Sequence, residues 1–376
     1  MRKYGVIIGV LIALCITGGG FLYSIEVWPP SQSAAAANFK TPEEKESEYV
    51  RFVMEGYDLI QKNYWQKAED SKLANHFQLS LEKAAATSSA ITATDRASTA
   101  KMLAAAFDGA EGADAKKNLA VGILQVALYN LAPQGRNQLL SAEEQKEVQN
   151  TVNNVNPSTG QAEPTVFSKG MGSTLYISIG RMSPVTVSEF TAILETASST
   201  PYSSIIIDLR GNIGGALDQI PVFLGLFLGA NQYAFDLYHQ DNFEVIRSPV
   251  GKLAALDRYK EVVILTDNMS QSSAEVFSAA AKRFGIATIV GTNTRGWGTV
   301  EGTYQIETKI DEKTTYGLML VYGLTLREDN QPIDGVGVSP DVNTGEKNWQ
   351  TQLSQHIRSP GLVEAVRQAV SEAPQR

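Results

Sequence analysis

Hydrophobic positions along this chain follow three successive patterns. First comes an uncharged, largely apolar run from Tyr4 to Tyr23, behind Arg2 and Lys3. It matches the roughly 20 apolar residues that cross a bilayer as a helix. A period near 3.6 then takes over, with Val50, Val53, Tyr57, Ile60 and Tyr64 forming one apolar stripe. Ahead of it Thr41, Pro42 and Glu44 supply an N-cap, a first-turn proline and a capping-box acid. Further helices are predicted over Ser71 to Ala86, Thr99 to Phe107 and Asn118 to Tyr129, and one over Ser141 to Val152 inside the polar stretch Ala132 to Gly170.

Strand texture begins beyond about Gln161. Thr174 to Ile179 is β-branched and aromatic, and Ser203 to Leu209 carries three consecutive isoleucines, as a strand buried on both faces would. Glu261 to Thr266 and Ala287 to Val290 read as strands too, alternating with helices over Thr186 to Ser198, Leu217 to Leu228 and Ser273 to Phe284. Strand signals around Tyr233 to Tyr238 and Phe243 to Ile246, a later hairpin of Thr303 to Ile310 with Tyr316 to Leu326, and a terminal helix Leu362 to Val370 complete the pattern. The alternation predicts a mixed α/β layer with crossover connections. The expected organisation is a cytoplasmic tip and transmembrane anchor (1–24), a linker (25–40), a helical lobe (41–165), an α/β core (166–346) and a helical tail (347–376).

Charge changes this picture only at the edges. Basic residues before the apolar run and acids behind it (Glu26, Glu43, Glu44, Glu46, Glu48) put the N-terminus in the cytoplasm. A single-pass plasma-membrane protein is expected, touching the bilayer through residues 4–23, with its main body extracytoplasmic. A cleaved signal peptide is the rival, but the small residues Ala34 to Ala37 sit well beyond the apolar run. With 32 basic against 40 acidic side chains, the chain lacks the basic footprint of a nucleic-acid binder. Its one cysteine, Cys15, excludes an internal disulfide and a cysteine-cluster metal site, and three scattered histidines leave little for a histidine-rich one. No cofactor and no metal are expected.

Three glycine-marked junctions remain as candidate chemistry, each at the end of a strand. Asp208, Leu209, Arg210, Gly211, Asn212, Ile213, Gly214 and Gly215 lead into a helix, where glycines let backbone N–H groups approach a ligand. A tight strand-to-helix turn needs glycine in any case. Ser270, Gln271, Ser272, Ser273, Ala274 and Glu275 open another helix, whose N-terminus favours a developing negative charge on a serine oxygen. Serine is equally a favoured N-cap. The third junction runs from Gly291 to Gly298 through Thr294, Arg295, Gly296 and Trp297.

In this order and spacing the junctions resemble the C-terminal-processing (tail-specific) serine peptidase family. Its hallmarks are an Asp-Leu-Arg-x-Asn-x-Gly-Gly turn, a Ser-x-Ser-x-x-Glu helix start and a Gly-Glu-x-Thr-x-Gly-Lys-Gly loop. Gly335 to Asp341 resembles the closing motif, and the likeness runs from about Ser168 to Val342. The resemblance implies a ClpP/crotonase-like core, a polypeptide substrate or ligand, Ser272 as nucleophile, and an oxyanion hole from the N–H of Ser273 and one of Gly214 or Gly215.

The family's general base is the lysine between two glycines of the third loop, and that position is Trp297. Indole has one N–H donor and no acceptor, so it cannot take the serine proton. Relatives that use histidine carry it in an Asp-Pro-His motif, matched here by Ala132, Pro133 and Gln134. A glutamine that orients the lysine becomes Glu301, and strand alternation puts Trp297, Thr299 and Glu301 on one face, making Glu301 a candidate base or orienter. Asp334 matches the acid that orients histidine in those relatives. His76, His239 and His356 fall in no motif, and Lys282 lies about 15 Å along the helix that Ser273 opens. The stretch from Ala132 to Gly170 is too short for the family's peptide-binding PDZ domain. Two expectations follow: a serine-type peptidase acting through a Ser272 acyl-enzyme, or a catalytically inactive homologue serving as a peptide-binding or scaffold protein.

Overall fold

A computed structural model describes residues 47–88 and 92–375. The apolar run at 4–23 and the Thr41 cap lie outside the described residues. Among those described, no helix is long and apolar enough to cross a membrane.

The chain forms two units, one from residues up to Glu147 with Glu301–Gly323, the other from Val148–Val300 with Leu324 onward. In chain order the first unit contains α1 (Glu48–Asn63), α2 (Asp70–Ala85), α3 (Arg96–Asp108), α4 (Ala113–Tyr129) and β1 (Gln138–Ser141), and α5 (Ala142–Asn153) then leads into the second. The α1 stripe is buried as its period requires: Val50, Val53, Tyr57 and Ile60 face inward, and Tyr57 packs on Phe77 of α2 with ring centroids 5.0 Å apart.

The second unit continues with β2 (Val166–Met171), β3 (Thr174–Ile179), α6 (Thr186–Thr196), β4 (Ser204–Asp208), α7 (Gln219–Leu228), β5 (Tyr233–His239) and β6 (Asn242–Arg247). Then come β7 (Glu261–Thr266), α8 (Ser273–Arg283), β8 (Thr288–Gly291), β9 (Thr299–Gln305) and β10 (Tyr316–Thr325), the last two passing through the first unit, and finally β11 (Val342–Asn343), α9 (Trp349–His356) and α10 (Pro360–Ser371). Residues 301–323, which the sequence groups with the α/β core, pack in the helical unit. Tyr304, Ile306, Leu318 and Leu320 bury their side chains in one cluster with Leu139 and the α1 stripe.

A six-stranded sheet organises the second unit in the order β11-β8-β7-β4-β3-β2, parallel throughout except for the antiparallel β2–β3 pair. Helices cover both faces. Ile177, Ile205, Ile207, Ile264 and Ile289 pack against Phe190, Phe223 and Phe277 of α6, α7 and α8. Tyr176, Ile206, Val263, Leu265 and Val290 pack against Leu353 of α9 and Leu362 and Val366 of α10. Ile205, Ile206 and Ile207 thus meet apolar side chains on both faces of the sheet, which is why they run without a polar interruption. Each contributes about 1.5–3 kcal/mol of burial.

Register fixes where the site lies. Asp208 pairs with Leu265 and Thr266 with Gly291, so β4, β7 and β8 end at the same level. Their three junction loops emerge side by side at the carboxyl edge of a parallel sheet, where ligands of open α/β sheets bind.

Candidate active site

Hydrogen bonds stitch the three junctions into one surface. From the first to the second, Gly211 N–H donates to Asp267 Oδ1 (2.8 Å), Gln271 N–H to Asn212 O (2.9 Å) and Ser270 Oγ to Leu209 O (2.8 Å). From the second to the third, Arg295 N–H donates to Ser270 O (2.9 Å) and Thr292 N–H to Thr266 O (3.1 Å). The Gly335 to Asp341 stretch closes over the third loop, with Val338 N–H donating to Thr294 Oγ1 (2.7 Å) and Gly335 N–H to Gly296 O (2.9 Å).

Ser272 sits at the sharp turn from β7 into α8 with φ 55° and ψ −124°. A non-glycine residue at positive φ costs free energy of order 1–3 kcal/mol and is held only by over-determined surroundings. Gly214 lies against it: a Cβ on Gly214 would stand 2.6 Å from Ser272 Cβ and 3.1 Å from its Oγ. Gly215 is equally obligatory, since a Cβ there would come within 1.9 Å of Met182 O, and the Gly214 to Ala216 segment pairs with Met182 through two backbone bonds of 3.0 and 2.7 Å.

These contacts separate the two oxyanion candidates. Gly214 N–H donates to Asn212 Oδ1 at 2.8 Å, and Asn212 is itself buried and fixed by donating to Ile179 O. The N–H groups of Gly215 and Ser273 donate to no acceptor among the described residues. Ser273 Oγ donates to Gly215 O at 2.9 Å, tying the two segments together beside Ser272. Two unspent donors flanking a strained serine at a helix N-terminus can hold a developing oxyanion.

The least legible member of the site is Glu275. It is fully buried and accepts four hydrogen bonds: Ser272 N–H (2.9 Å) and Trp297 N–H (2.8 Å) on Oε2, Thr294 Oγ1 (2.5 Å) and Gly296 N–H (2.7 Å) on Oε1. In the sequence it shows only as the glutamate of the Ser-x-Ser-x-x-Glu helix start, a spacing that also reads as a capping box. Burial pushes its carboxyl up from the ordinary value, and the four donors oppose that shift. Because Ser272 and Trp297 share one oxygen, their backbone nitrogens lie within two hydrogen-bond lengths of each other.

Trp297 is therefore beside Ser272 through the backbone, and its side chain is half-buried. Among the described residues of this unit no side chain hydrogen-bonds to Ser272 Oγ, whose capping-box partner is the backbone N–H of Glu275. Glu301 belongs to the other unit, on β9. Asp334 accepts from Gly298 N–H at 3.3 Å on the third loop. Lys282 is spent elsewhere, on Ser339 O (2.8 Å), Glu328 (3.2 Å) and Asp341 (3.3 Å). His76 bonds Ala127 O at 2.8 Å in the helical unit, and His239 and His356 end β5 and α9. Among the described residues no group of three or more His, Cys, Asp or Glu side chains is placed to hold a metal.

Comparison with known proteins gives likenesses of sequence and of fold. Residues 173–344 match peptidase family S41. Probable CtpA-like serine proteases are similar in sequence: that of Staphylococcus aureus strain N315 is 26% identical over 189 residues, covering 50% of this chain and 36% of the relative. That of Staphylococcus haemolyticus strain JCSC1435 is 27% identical over 175 residues, covering 46% and 34%. The matched part thus spans about a third of these relatives' length. A lipoprotein from Streptococcus agalactiae superposes with a TM-score of 0.52 at 18% identity, over 90% of this chain and 100% of that one. The photosystem II D1 C-terminal processing protease gives 0.52 at 13% identity, over 79% and 93%. These two share the fold.

Proposed function

Given that this chain belongs to peptidase family S41, we propose that it acts on polypeptides as a serine-type peptidase with Ser272 as nucleophile, and that its proteolysis is slow because position 297 is tryptophan. The supporting observation is the Ser272 turn, at φ 55° with the unspent N–H groups of Ser273 and Gly215 beside it. A plain N-cap has no use for that strain.

In the reaction, Ser272 Oγ bonds to the carbonyl carbon and the carbonyl electron pair moves to the oxygen, held by Ser273 and Gly215. Collapse expels the amine, which takes up a proton, and water then hydrolyses the ester and regenerates the serine. The hydroxyl proton needs an acceptor at the first step, and a positioned base contributes roughly 10²–10⁴ in rate. Acylation by a peptide is therefore slow, while acylation by an activated reagent still proceeds. The core is read as the ClpP/crotonase-like type. Residues 4–23 are read as a single-pass anchor in the plasma membrane that leaves this body extracytoplasmic.

A second reading, a peptide-binding or scaffold protein without turnover, is favoured by the lack of a side-chain partner for Ser272 Oγ within its unit. Labelling with a fluorophosphonate decides between them. The peptidase reading expects labelling of the parent and none of Ser272→Ala, and cleavage of an unfolded polypeptide rising at least tenfold in Trp297→Lys. An unlabelled parent leaves the scaffold reading standing and overturns the first.

A further inference from the structure

The outer edge of β2 is the free end of the six-stranded sheet among the described strands. Gly180 N–H donates to Thr165 O, and bonded positions alternate along an antiparallel pair. The carbonyl of Thr165 and the backbone groups of residues 167, 169 and 171 therefore face β3, while 166, 168 and 170 turn theirs outward. Val166 N–H donates away from β3 to Glu189 Oε2 at 3.1 Å, as does Thr165 N–H at 2.9 Å just ahead of the strand. Ser168 and Gly170, both exposed, present the remaining outward N–H and C=O groups.

Native proteins block such an edge, often with a lysine. Here Lys169 is drawn to the opposite face, its Nζ 2.6 Å from Glu372 and 5.1 Å from the Tyr176 ring centroid. On the near face Ser168 is small and Gly170 is overlain by Tyr202, whose hydroxyl stands where a Gly170 side chain would, beside an open cavity of about 330 Å³ lined by Leu175, Ile193, Ala197 and Tyr202. An unpaired ladder above a cavity that receives alternate side chains fits one kind of occupant, an extended polypeptide added as a further strand.

We propose that the β2 edge at Ser168 and Gly170 is an exosite that binds an extended segment of the polypeptide substrate by strand addition. This inference rests on the polypeptide reading above. Three strand spacings separate β2 from β7, so the exosite lies roughly 14 Å across the sheet from the strand that leads to Ser272. About five extended residues bridge that span. It therefore holds substrate outside the cleft and lengthens its stay there.

The test is binding of fluorescein-labelled β-casein, an unfolded polypeptide, to the full chain. Ser168→Pro removes one outward N–H and spares every β2–β3 bond; Ile193→Trp fills the cavity. Each is expected to weaken binding at least tenfold while fluorophosphonate labelling of Ser272 stays unchanged, and bound casein should slow amide exchange in residues 166–171 of the parent. If Ser168→Pro loses its circular dichroism spectrum, the cavity variant and the exchange measurement carry the test. Affinities within twofold of the parent, with no change in exchange, overturn the exosite alone. A parent that does not bind casein overturns the exosite and the polypeptide reading together.

Discussion

The end of β4 and the start of α8 each bury a carboxylate completely, and they satisfy it in opposite ways. Asp208 meets a full charge: Arg210 Nη2 lies 2.6 Å from Oδ2 and Nε 3.0 Å from Oδ1, and Tyr176 OH donates at 2.7 Å. The same guanidinium donates to Ala369 O (2.9 Å) and Glu372 O (3.1 Å) at the end of α10, where a cation meets the negative pole of the helix. Glu275 has only uncharged donors, one hydroxyl and three backbone N–H groups, drawn from Ser272 and the third junction loop. The first carboxylate thus locks a helix onto the sheet on the side away from the chemistry. The second sets the distance between Ser272 and position 297.

Breaking the Asp208 pair should have the largest effect on stability. Asp208→Ala leaves a largely buried guanidinium without its partner, a loss of about 3–5 kcal/mol for buried pairs. Chemical denaturation checks it. The contrast holds only if the fraction that stays folded labels at Ser272 as fast as the parent; slowed labelling would show that Asp208 also shapes the site.

The reverse balance is expected of Thr294→Val, which keeps shape but removes the hydroxyl that donates to Glu275 and accepts from Val338 N–H. A hydrogen bond to a charged group is worth about 1.5–3 kcal/mol. Labelling of Ser272 should slow as well, because Glu275 Oε1 then keeps only Gly296 N–H and the carboxylate is freer to rotate. Stability loss with unaltered labelling would reduce Glu275 to a structural cap.

How far the sequence carries depends on the range of the interaction. The α1 stripe and the triple isoleucine of β4 are legible because burial imposes a local period, and the junctions because turns demand glycine. Three things are set by contacts distant in sequence. The choice between Gly214 and Gly215 depends on Ile179 O, which holds the Asn212 side chain where its Oδ1 accepts from Gly214 N–H. The grouping of 301–323 with the helical unit depends on what Leu318 and Leu320 pack against. The strand β2 escapes notice because Ser168, Lys169 and Gly170 carry no apolar alternation, and its edge position is a property of the whole sheet. Likewise α9 buries only Leu353, too little to announce a helix. Within the site, Ser272, Ser273 and Trp297 stand out through motif position, whereas the bracing role of Glu275 needs the third loop in place.

The smallest expected effect concerns pH and tests which force governs Glu275. Burial raises its native pKa, and the four donors work against that. With a raised pKa the native state binds the proton more tightly than the unfolded chain does. The stability this group contributes is then fully present below the unfolded glutamate value, about 4.3, and is lost as pH rises through the native value. Glu275→Gln removes the titration while keeping the volume. The unfolding free energy of the parent minus that of the variant should therefore fall as pH is raised from about 4, in urea denaturation at a series of pH values. A difference that grows with pH would mean that the donors outweigh burial and hold Glu275 as a stabilised anion.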